Sequence, residues 1–540
     1  MTQLEKVSQW IHNLRYEDLP EEVIKMARLQ VLDVLGAMSG AYQTPVCQKI
    51  KAGMSGNQGE STAFLQNEKW DLASAAYYHA ALINALELDN FSFMGHLSQS
   101  AVPVSFSICE KLDLKEEDML LALVAAQEVT GRMGGYMATG PQQGHMRAFL
   151  HRVGAAVTVC KLHKCAPDVI ARAMAISLSS PEFPLMPAAF SPETKVLCTS
   201  PPTAEGIRAA RLAMEGVDAA VDILEHPLGF MRFFSYMKQV PDFWAEIGKT
   251  WTMLSVSFKK YASCGYAQGA INAVLKIKPA EPFKAEDIAL VTVSSPMLTI
   301  VMEKFAVAHY KAGTTAVNTQ FSTRRSVAAA ILFGAPTGQF YAHRFESVKE
   351  EIEALAQKVE LVHSWPQTLT MIRGFDGAIS GPGKPGLFGT GSSQKTLKKF
   401  GKVLKNRSIY QWGDLLAIFS IPRKDTAYFM KRILRSKWAF FVPKHRKKEY
   451  RSYEKDLSKI AFRLSAGLKI QLKDGTQYES YCAVPDGFMG DPNKNAVVPE
   501  KFFREAVPVM GQERSQQIHD LVLHQPGYPV RTLMTLLGHE

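Results

Sequence analysis

Apolar residues recur at helical spacing through the first 214 residues, and strand patterns are nearly absent from this stretch. Residues 21–38 show the spacing most clearly, because their apolar side chains fall at every third or fourth position, which is typical of a buried helical face. Helices are predicted to continue at residues 74–86, 120–132, 153–162 and 167–178. Pro167 suits the first position of the last of these. This half of the chain is therefore predicted to be helix after helix.

The pattern changes after Trp251. Residues 252–258 and 288–294 are short, β-branched and alternating, which predicts strands. Residues 467–482 predict a hairpin whose turn contains Asp474 and Gly475. Ser347 and Glu350 have the spacing of a capping box, and helical patterns return at residues 326–333, 347–358, 500–507 and 512–522. The second half therefore predicts a mixture of helices and strands.

Length and composition narrow the class of protein. A chain of 540 residues is too long for one ordinary core, so two domains are expected. Hydrophobic residues make up 46% and charged residues 21%, as in soluble globular proteins. No apolar run is long enough to predict a membrane span, and the first residues lack the apolar core of a signal peptide. Seven scattered cysteines predict reduced thiols, not a disulfide framework or a zinc site, so we expect a cytoplasmic protein.

A lysine with few acidic neighbours precedes a helical run near the middle of the chain. Lys195 is followed by a short turn broken by prolines, and then by an Ala-rich helix predicted at residues 204–214. A network of surface salt bridges would place more acids around such a lysine. We therefore take Lys195 as a candidate functional residue.

Two acids and a histidine follow the helix predicted at residues 74–86. Glu87 and Asp89 are two positions apart, a spacing that cannot place both on one face of a helix. At a helix end the chain changes direction, so one of them can enter a pocket, although acids often simply flank a helix end. His96 follows, and its imidazole exchanges protons near neutral pH.

Three further segments contain polar residues of interest. Residues 144–156 contain His145 and Arg147, residues 258–268 contain Lys259 and Gln268, and residues 320–330 contain Arg325. An arginine that enters a carboxylate pocket adds a fixed cation with bidentate geometry, although Arg147 in a loop can equally face solvent. Gln268 can orient a ligand but cannot exchange a proton.

In their order along the chain, these segments resemble those of the MmgE/PrpD family, whose members include 2-methylcitrate dehydratase and cis-aconitate decarboxylase. The resemblance covers residues 4–362 and 466–523. It implies a mainly α fold, in which a large all-helical domain is joined to a smaller α/β lid domain. Expected boundaries are residues 1–257 and 491–540 for the helical domain and 258–490 for the lid, with an insertion at about 365–465.

The resemblance also implies an activity. Relatives abstract a proton α to a carboxylate and then lose water or carbon dioxide, without a metal or an organic cofactor. We therefore expect a cofactor-free lyase, with dehydration of a β-hydroxy acid or acyl group preferred over decarboxylation, isomerisation, epimerisation or cyclisation. A catalytically silent binding scaffold is the alternative from another class. Relatives associate through the helical domain, so a homodimer is expected.

The resemblance further assigns roles to the residues named above. The catalytic residues it implies are Lys195, Asp89, His96 and His145. The substrate contacts it implies are Glu87, Arg147, Lys259, Gln268 and Arg325. Several family positions are changed in this chain: Phe91 replaces a threonine, Gln268 a histidine and Arg325 a tyrosine. These changes argue that 2-methylcitrate itself is not the substrate.

Basic residues are concentrated in one segment. Residues 384–463 contain 21 Lys and Arg against 5 Asp and Glu, whereas the rest of the chain contains 41 against 46. Aromatic residues are interleaved with these charges, and residues 425–441 predict a basic amphipathic helix. We expect the segment to dock an acidic protein partner, such as an acyl carrier domain that delivers a tethered substrate. An anionic membrane surface is the alternative, and nothing in the helical body favours a nucleic acid.

Overall fold

The structure is a computed structural model of the chain. It describes residues 1–54, 58–92, 95–137, 148–190, 192–234, 244, 246–277, 279, 282–308, 313–379 and 461–538. His145, Arg147 and most of the basic segment lie outside the described residues.

The first part of the chain is an array of packed helices joined by short turns. Its α-helices are α1 (Gln3–Asn13), α2 (Glu21–Tyr42), α3 (Pro45–Met54), α4 (Leu72–Ala85), α5 (Ser98–Leu112), α6 (Glu116–Met137), α7 (Phe149–Leu162), α8 (Pro167–Ser179), α9 (Met186–Ala189), α10 (Ser200–Met214) and α11 (Phe230–Phe234). Short 3-10 helices lie at Tyr16–Asp18 and Glu193–Cys198. The antiparallel strands β1 (Gln58–Thr62) and β2 (Lys69–Trp70) form a small hairpin beside α4 and α5.

These helices confirm the sequence prediction and show why each begins where it does. The Asp71 carboxylate accepts hydrogen bonds from the first amides of α4, at Ala73 and Ser74, so the helix begins immediately after it. Pro167 occupies the first turn of α8, as predicted. The proline-broken turn predicted after Lys195 is wrong. Pro201 and Pro202 lie in the first turn of α10, where a helix needs no amide donor.

The second part contains a four-stranded sheet of order β4-β3-β5-β6. Its strands are β3 (Ile288–Ser295), β4 (Val359–His363), β5 (Ala466–Leu472) and β6 (Gln477–Cys482). β3 pairs parallel with β4, and β5 pairs antiparallel with both β3 and β6. Gly475 has φ of 91° in the turn between β5 and β6, which confirms the predicted hairpin.

Helices pack around this sheet. They are α12 (Gly265–Lys276), α13 (Met297–Ala308), α14 (Ala316–Phe321), α15 (Thr323–Phe333), α16 (Phe345–Ala356) and α17 (Trp365–Ile379). α12 covers β5 and β6, while α13 and α15 contact β4. The fold is thus mainly α with a smaller α/β part, as expected.

Two local predictions in this part are wrong. Residues 252–258 do not form a strand: Thr252–Ser255 is a 3-10 helix, and only Ser257 makes a bridge, with Phe91. The capping box at Ser347 does not form either. A π-helical turn, Phe340–Arg344, continues directly into α16, so Ser347 lies inside the helical run and donates to the carbonyl of Arg344 at 2.8 Å.

The chain ends in three helices that return to the first part. They are α18 (Val497–Met510), α19 (Gln512–His524) and α20 (Val530–Leu537), and both α18 and α19 pack against α2. This return places the C-terminal helices beside the helical array, as the resemblance implied. The predicted domain boundaries stay predictions. None of the helices in the described ranges combines the length and apolarity needed to cross a membrane.

Helices α7 and α10 approach so closely that a glycine is required between them. A β-carbon added at Gly206 of α10 would lie 2.2 Å from the carbonyl oxygen of Arg152 on α7. By contrast, a β-carbon at Gly53 of α3 meets nothing within 4 Å. Both glycines lie inside helices, so only the surroundings differ.

We therefore expect opposite effects from the same substitution. Gly206→Ala should lower the free energy of unfolding by about 1–3 kcal/mol, because α7 must move to accept the methyl group. Gly53→Ala should raise it by about 0.5–1 kcal/mol, because alanine is the better helix former. Urea denaturation followed by circular dichroism measures both. Equal effects at the two positions would contradict the packing described.

Candidate active site

The site begins at a sharp turn after α4. Glu87 has φ of 52°, in the left-handed region that a residue with a side chain seldom adopts. The turn takes Glu87 out of the helical direction, so two acids that could not share a helix face now point the same way. Their carboxylates both reach the ammonium of Lys259: Glu87 Oε2 and Asp89 Oδ1 each lie 3.0 Å from Lys259 Nζ.

A second lysine and a histidine extend this arrangement at either end. Lys195 Nζ contacts Glu87 Oε1. His96 Nδ1 lies 2.6 Å from Asp89 Oδ2. Together Lys195, Glu87, Lys259, Asp89 and His96 form one continuous chain of charged and polar groups, which we call the lysine–carboxylate cluster.

Reciprocal hydrogen bonds fix Lys195 against the last turn of α4. Lys195 lies in the 3-10 helix Glu193–Cys198, and its ammonium donates to the carbonyl of Asn84 at 2.5 Å. In return, the Asn84 amide donates to the carbonyls of Lys195 at 3.1 Å and Val196 at 3.3 Å. Neither segment can shift without breaking these bonds, so the position of Lys195 relative to Glu87 is set by α4.

The loop that carries Lys259 is held by Gln268. The Gln268 side-chain oxygen accepts from the amides of Lys260 and Tyr261, at 3.3 and 3.2 Å. Its nitrogen donates to the carbonyls of Tyr261 and Ser263, at 2.9 and 2.7 Å. These bonds engage the whole amide with backbone and explain why a side chain that cannot titrate suits this position. Direct substrate contact by Gln268 stays a prediction.

Because the cluster is buried, the pKa of each charged group depends strongly on the charges next to it. Burial alone would raise the pKa of Glu87, but Lys195 and Lys259 outweigh it and hold that pKa well below its usual range. Burial likewise opposes ionisation of Asp89, yet Lys259 and His96 hold its pKa at about 2. Burial alone would lower the pKa of Lys259, whereas Asp89 and Glu87 raise it. At neutral pH the two carboxyls and Lys259 are therefore charged.

Phenyl rings cover the two ammonium groups. Lys195 Nζ lies 5.3 Å from the centre of the Phe321 ring, and Lys259 Nζ lies 5.6 Å from that of Phe91. The Phe91 ring also packs against Phe462 and Phe488, with centroids 5.4 and 5.1 Å apart. The side chain of His96 keeps 26% of its surface exposed, against 5% or less for the other four members. The His96 end is therefore the most accessible part of the cluster among its described residues.

The donor set suits an anion, not a metal ion. Two fixed ammonium groups repel a metal cation, and each carboxylate is already engaged by an ammonium. Residues of the kinds that bind metal ions lie together elsewhere in the described part of the chain. Potential ligand atoms of His519, Asp520 and His524 lie within 4.8 Å of one another near the end of α19. There the His519 Nδ1 atom pairs with Asp520 Oδ1 at 2.9 Å.

The structure brings together five of the nine residues selected from the sequence. Gln268 supports the Lys259 loop, and Arg325 pairs with Glu353 of α16 at 2.7 Å. The roles assigned to all these residues stay predictions. His145 and Arg147 lie outside the described residues.

Sequence reasoning overlooked the residues behind the cluster. Asn84, described above, is one of them. Asp33 and Lys501 form a fully buried ion pair of 2.5 Å between α2 and α18. A signal was present for both, because Asp33 interrupts an apolar run and Lys501 lies on the apolar face of its helix with Val497.

Two family models match the chain, and together they include four of the five residues of the cluster. The MmgE/PrpD N-terminal domain matches residues 5–241, which include Glu87, Asp89, His96 and Lys195. The MmgE/PrpD C-terminal domain matches residues 261–366, which begin two residues after Lys259. The chain belongs to the MmgE/PrpD family.

Curated members of the MmgE/PrpD family are distant in sequence. Cis-aconitate decarboxylase of Aspergillus terreus (strain NIH 2624 / FGSC A1156) is 24% identical over 298 residues, which are 51% of this chain and 60% of the relative. The human cis-aconitate decarboxylase is 24% identical over 368 residues, 65% of this chain and 74% of the relative. Cis-aconitate decarboxylase-like protein oryM of Aspergillus oryzae is 23% identical over 386 residues, 66% and 79% of the two chains. The match thus spans less than two thirds of the Aspergillus terreus enzyme.

Removing Lys259 should change how stability depends on pH. Wild-type Glu87 and Asp89 have lowered pKa values, so their contribution is present above about pH 4 and is lost only as the pH falls below that. Without the Lys259 ammonium, Glu87 faces only Lys195 and Asp89 only His96, so burial raises the pKa of both carboxyls relative to the wild type. Lys259→Met should therefore cost about 3–5 kcal/mol at pH 7.5 and clearly less at pH 5, where the carboxyls take up protons.

Lys494 provides the matched control. Its buried ammonium donates to the carbonyl of Val256 at 3.0 Å and lies beside no carboxylate among the contacts described. Lys494→Met should therefore cost the same at pH 5 and pH 7.5. Urea unfolding at the two pH values measures both variants. A Lys259→Met penalty that does not shrink at pH 5 would contradict the charge assignment.

Proposed function

We propose that the protein is a lyase that removes carbon dioxide or water from a carboxylate-bearing substrate through an enolate-like state. The lysine–carboxylate cluster carries this proposal, because it combines two fixed cations with one partly exposed imidazole. A substrate carboxylate and the charge that develops beside it need such cations. The imidazole supplies a group that can both accept and donate a proton.

His96 is the proposed proton-transfer residue. Its Nδ1 is held by Asp89 at 2.6 Å, which fixes the ring and leaves Nε2 to face the substrate. In a dehydration, His96 takes the proton from the carbon next to the carboxylate, the bond between the β-carbon and the hydroxyl oxygen breaks, and the imidazolium gives the same proton to that oxygen, which leaves as water. In a decarboxylation, carbon dioxide leaves first, and His96 gives a proton to the carbon that receives the electron pair. Both routes place negative charge where the same cations are required.

Lys195 is the proposed carboxylate-binding cation. An ammonium has three N–H donors, and two of those of Lys195 point at Asn84 and Glu87. The third can bind the substrate. The decarboxylase names of the similar proteins favour loss of carbon dioxide, and the fixed Asp89–His96 pair also suits dehydration.

Lys195→Ala should lower turnover by about 10²-fold or more, the scale of losing one contact to developing charge. The assay follows cis-aconitate and a set of 3-hydroxy acids by proton NMR. Lys49→Ala is the matched control, because the exposed Lys49 pairs with Glu193 in the same 3-10 helix without touching the cluster. Normal turnover in a folded Lys195→Ala protein would rule out the proposed role. A wild type that binds such acids but converts none would favour the silent scaffold.

The basic segment and the oligomeric state belong to the same proposal. We propose a homodimer, and we propose that residues 384–463 dock an acidic acyl carrier domain, because their charge of 21 basic against 5 acidic residues would steer such a partner. An anionic membrane surface is the alternative partner. Steering of this kind weakens as salt rises.

Deleting residues 384–460 and joining the ends with a short linker tests the docking proposal, because this deletion removes 20 of the 21 basic residues and keeps Phe462, which packs against Phe91 of the cluster. The KM for a carrier-bound 3-hydroxyacyl group should rise about tenfold or more, while the KM for the free acid stays unchanged, because only the carrier uses the basic segment. Raising the salt concentration should reproduce the effect in the intact protein. An equal loss on both substrates would mean that the segment is structural. Binding of the intact protein to anionic vesicles, absent after the deletion, would favour the membrane.

A further inference from the structure

One buried ammonium joins the two backbone segments that carry the cluster. Lys501 lies on α18 and has no exposed surface. Its Nζ lies 2.5 Å from Asp33 Oδ1, 2.5 Å from the carbonyl oxygen of Leu88 and 3.0 Å from that of Lys259. The ammonium thus donates to two carbonyls and forms an ion pair with Asp33.

The two carbonyls, those of Leu88 and Lys259, belong to the two backbone segments that carry the cluster. Leu88 lies between Glu87 and Asp89, whose carboxylates bind Lys259. The Lys259 carbonyl belongs to the residue whose ammonium those carboxylates bind. A single point on α18 therefore sets the distance between the acid-bearing turn and the lysine-bearing loop.

Neighbouring groups strengthen this connection. Asp33 Oδ2 accepts from the Asn90 amide at 3.0 Å, so Asp33 also holds the residue after Asp89. Arg504, one turn beyond Lys501 on α18, donates to the carbonyl of Lys260 at 2.6 Å. Two side chains of α18 therefore donate hydrogen bonds to successive carbonyls of the Lys259 loop, those of Lys259 and Lys260.

Burying this pair opposes folding, and apolar side chains would fill the same space at lower cost. Burial raises the pKa of Asp33 and lowers that of Lys501 in spite of their attraction. Replacing a buried ion pair by apolar groups is often neutral or stabilising. A role in stability alone therefore does not account for the pair.

We propose that Lys501 and Asp33 are positioning residues that hold Glu87 and Asp89 at the correct distance from Lys259 and so align His96. This inference rests on the proposed function only for its catalytic consequence. The contacts of Lys501 with Asp33, Leu88 and Lys259, which we call the clamp, are a property of the fold. A displacement of about 1 Å in an active site can cost about 10²-fold in rate, so loosening the clamp should lower kcat and leave KM little changed.

The test uses the double variant Asp33→Asn/Lys501→Met in the full chain. It removes both charges together, so neither is left unpaired, and the amide oxygen introduced at position 33 can still accept from the Asn90 amide. Lys161→Met is the matched control. Lys161 is another buried lysine that donates to backbone carbonyls, those of Ile11 at 2.7 Å and Leu14 at 2.6 Å, but it supports α1 and not the cluster.

Two readouts are compared. In the double variant, kcat on the most rapidly converted acid should fall about 10²-fold with KM within about threefold, and deuterium exchange should accelerate in peptides covering residues 86–91 and 257–262. Lys161→Met should leave kcat within about twofold and these peptides unchanged, although both proteins lose buried hydrogen bonds.

The possible results distinguish a failure of the positioning role from a failure of the proposed function. Faster exchange with unchanged kcat would overturn the positioning role, and a lower kcat with unchanged exchange would overturn the clamp. A matching loss of kcat in Lys161→Met would reduce the effect to general destabilisation and overturn the proposal. If the wild type converts no acid, the proposed function fails, and the exchange measurement alone still supports or overturns the clamp.

Discussion

The ammonium of Lys259 lies between two buried carboxylates, and the arrangement of the site follows from the cost of taking these charges out of water. Each charge is tolerated because an opposite charge lies within about 3 Å, so removing Lys259 would leave Glu87 with Lys195 alone and Asp89 with His96 alone. The strained turn at Glu87, the Gln268-held loop and the locked position of Lys195 all serve that proximity. The chemistry proposed for His96 depends on it as well, because Asp89 orients the imidazole only while Asp89 stays ionised.

The same constraint explains why distant parts of the chain must meet. The acids come from the end of α4, Lys195 from the turn before α10, and Lys259 from the loop before α12. Behind them, the pair of Asp33 and Lys501 connects α2 to α18. The return of the C-terminal helices to the helical array is therefore tied to the geometry of the site as well as to the apolar core.

Much of the fold could be predicted because periodicity is local. The helix at residues 21–38 and the Asp474-Gly475 hairpin carry their signals in neighbouring residues. Residues 252–258 look like a strand for the same reason, but their partner for pairing is a single residue, Phe91, so the alternating pattern had no sheet to join. Ser347 failed as a cap because the preceding π-helical turn supplied the helix start. Local patterns do not contain such tertiary information.

The candidate site was predictable in composition more than in geometry. The resemblance selected Lys195, Glu87, Asp89, His96 and Lys259, which the structure unites. It did not indicate that Glu87 and Asp89 share one lysine, because that depends on the left-handed turn. Lys501 escaped notice because a lysine on an apolar helical face has meaning only once its partner, Asp33, is known.

The central claim is that this cluster transfers a proton at a carbon next to a carboxylate, and solvent isotope incorporation tests it most directly. Wild-type protein and His96→Gln would be incubated in D₂O with cis-aconitate, citrate and 3-hydroxy acids, and the carbon-bound hydrogens followed by NMR. The account predicts that the wild type introduces one deuterium at the carbon next to the carboxylate of at least one acid, and that His96→Gln does so at least about 10²-fold more slowly. Incorporation at the same rate in His96→Gln, or a folded wild type that neither labels nor converts any of these acids, would contradict it.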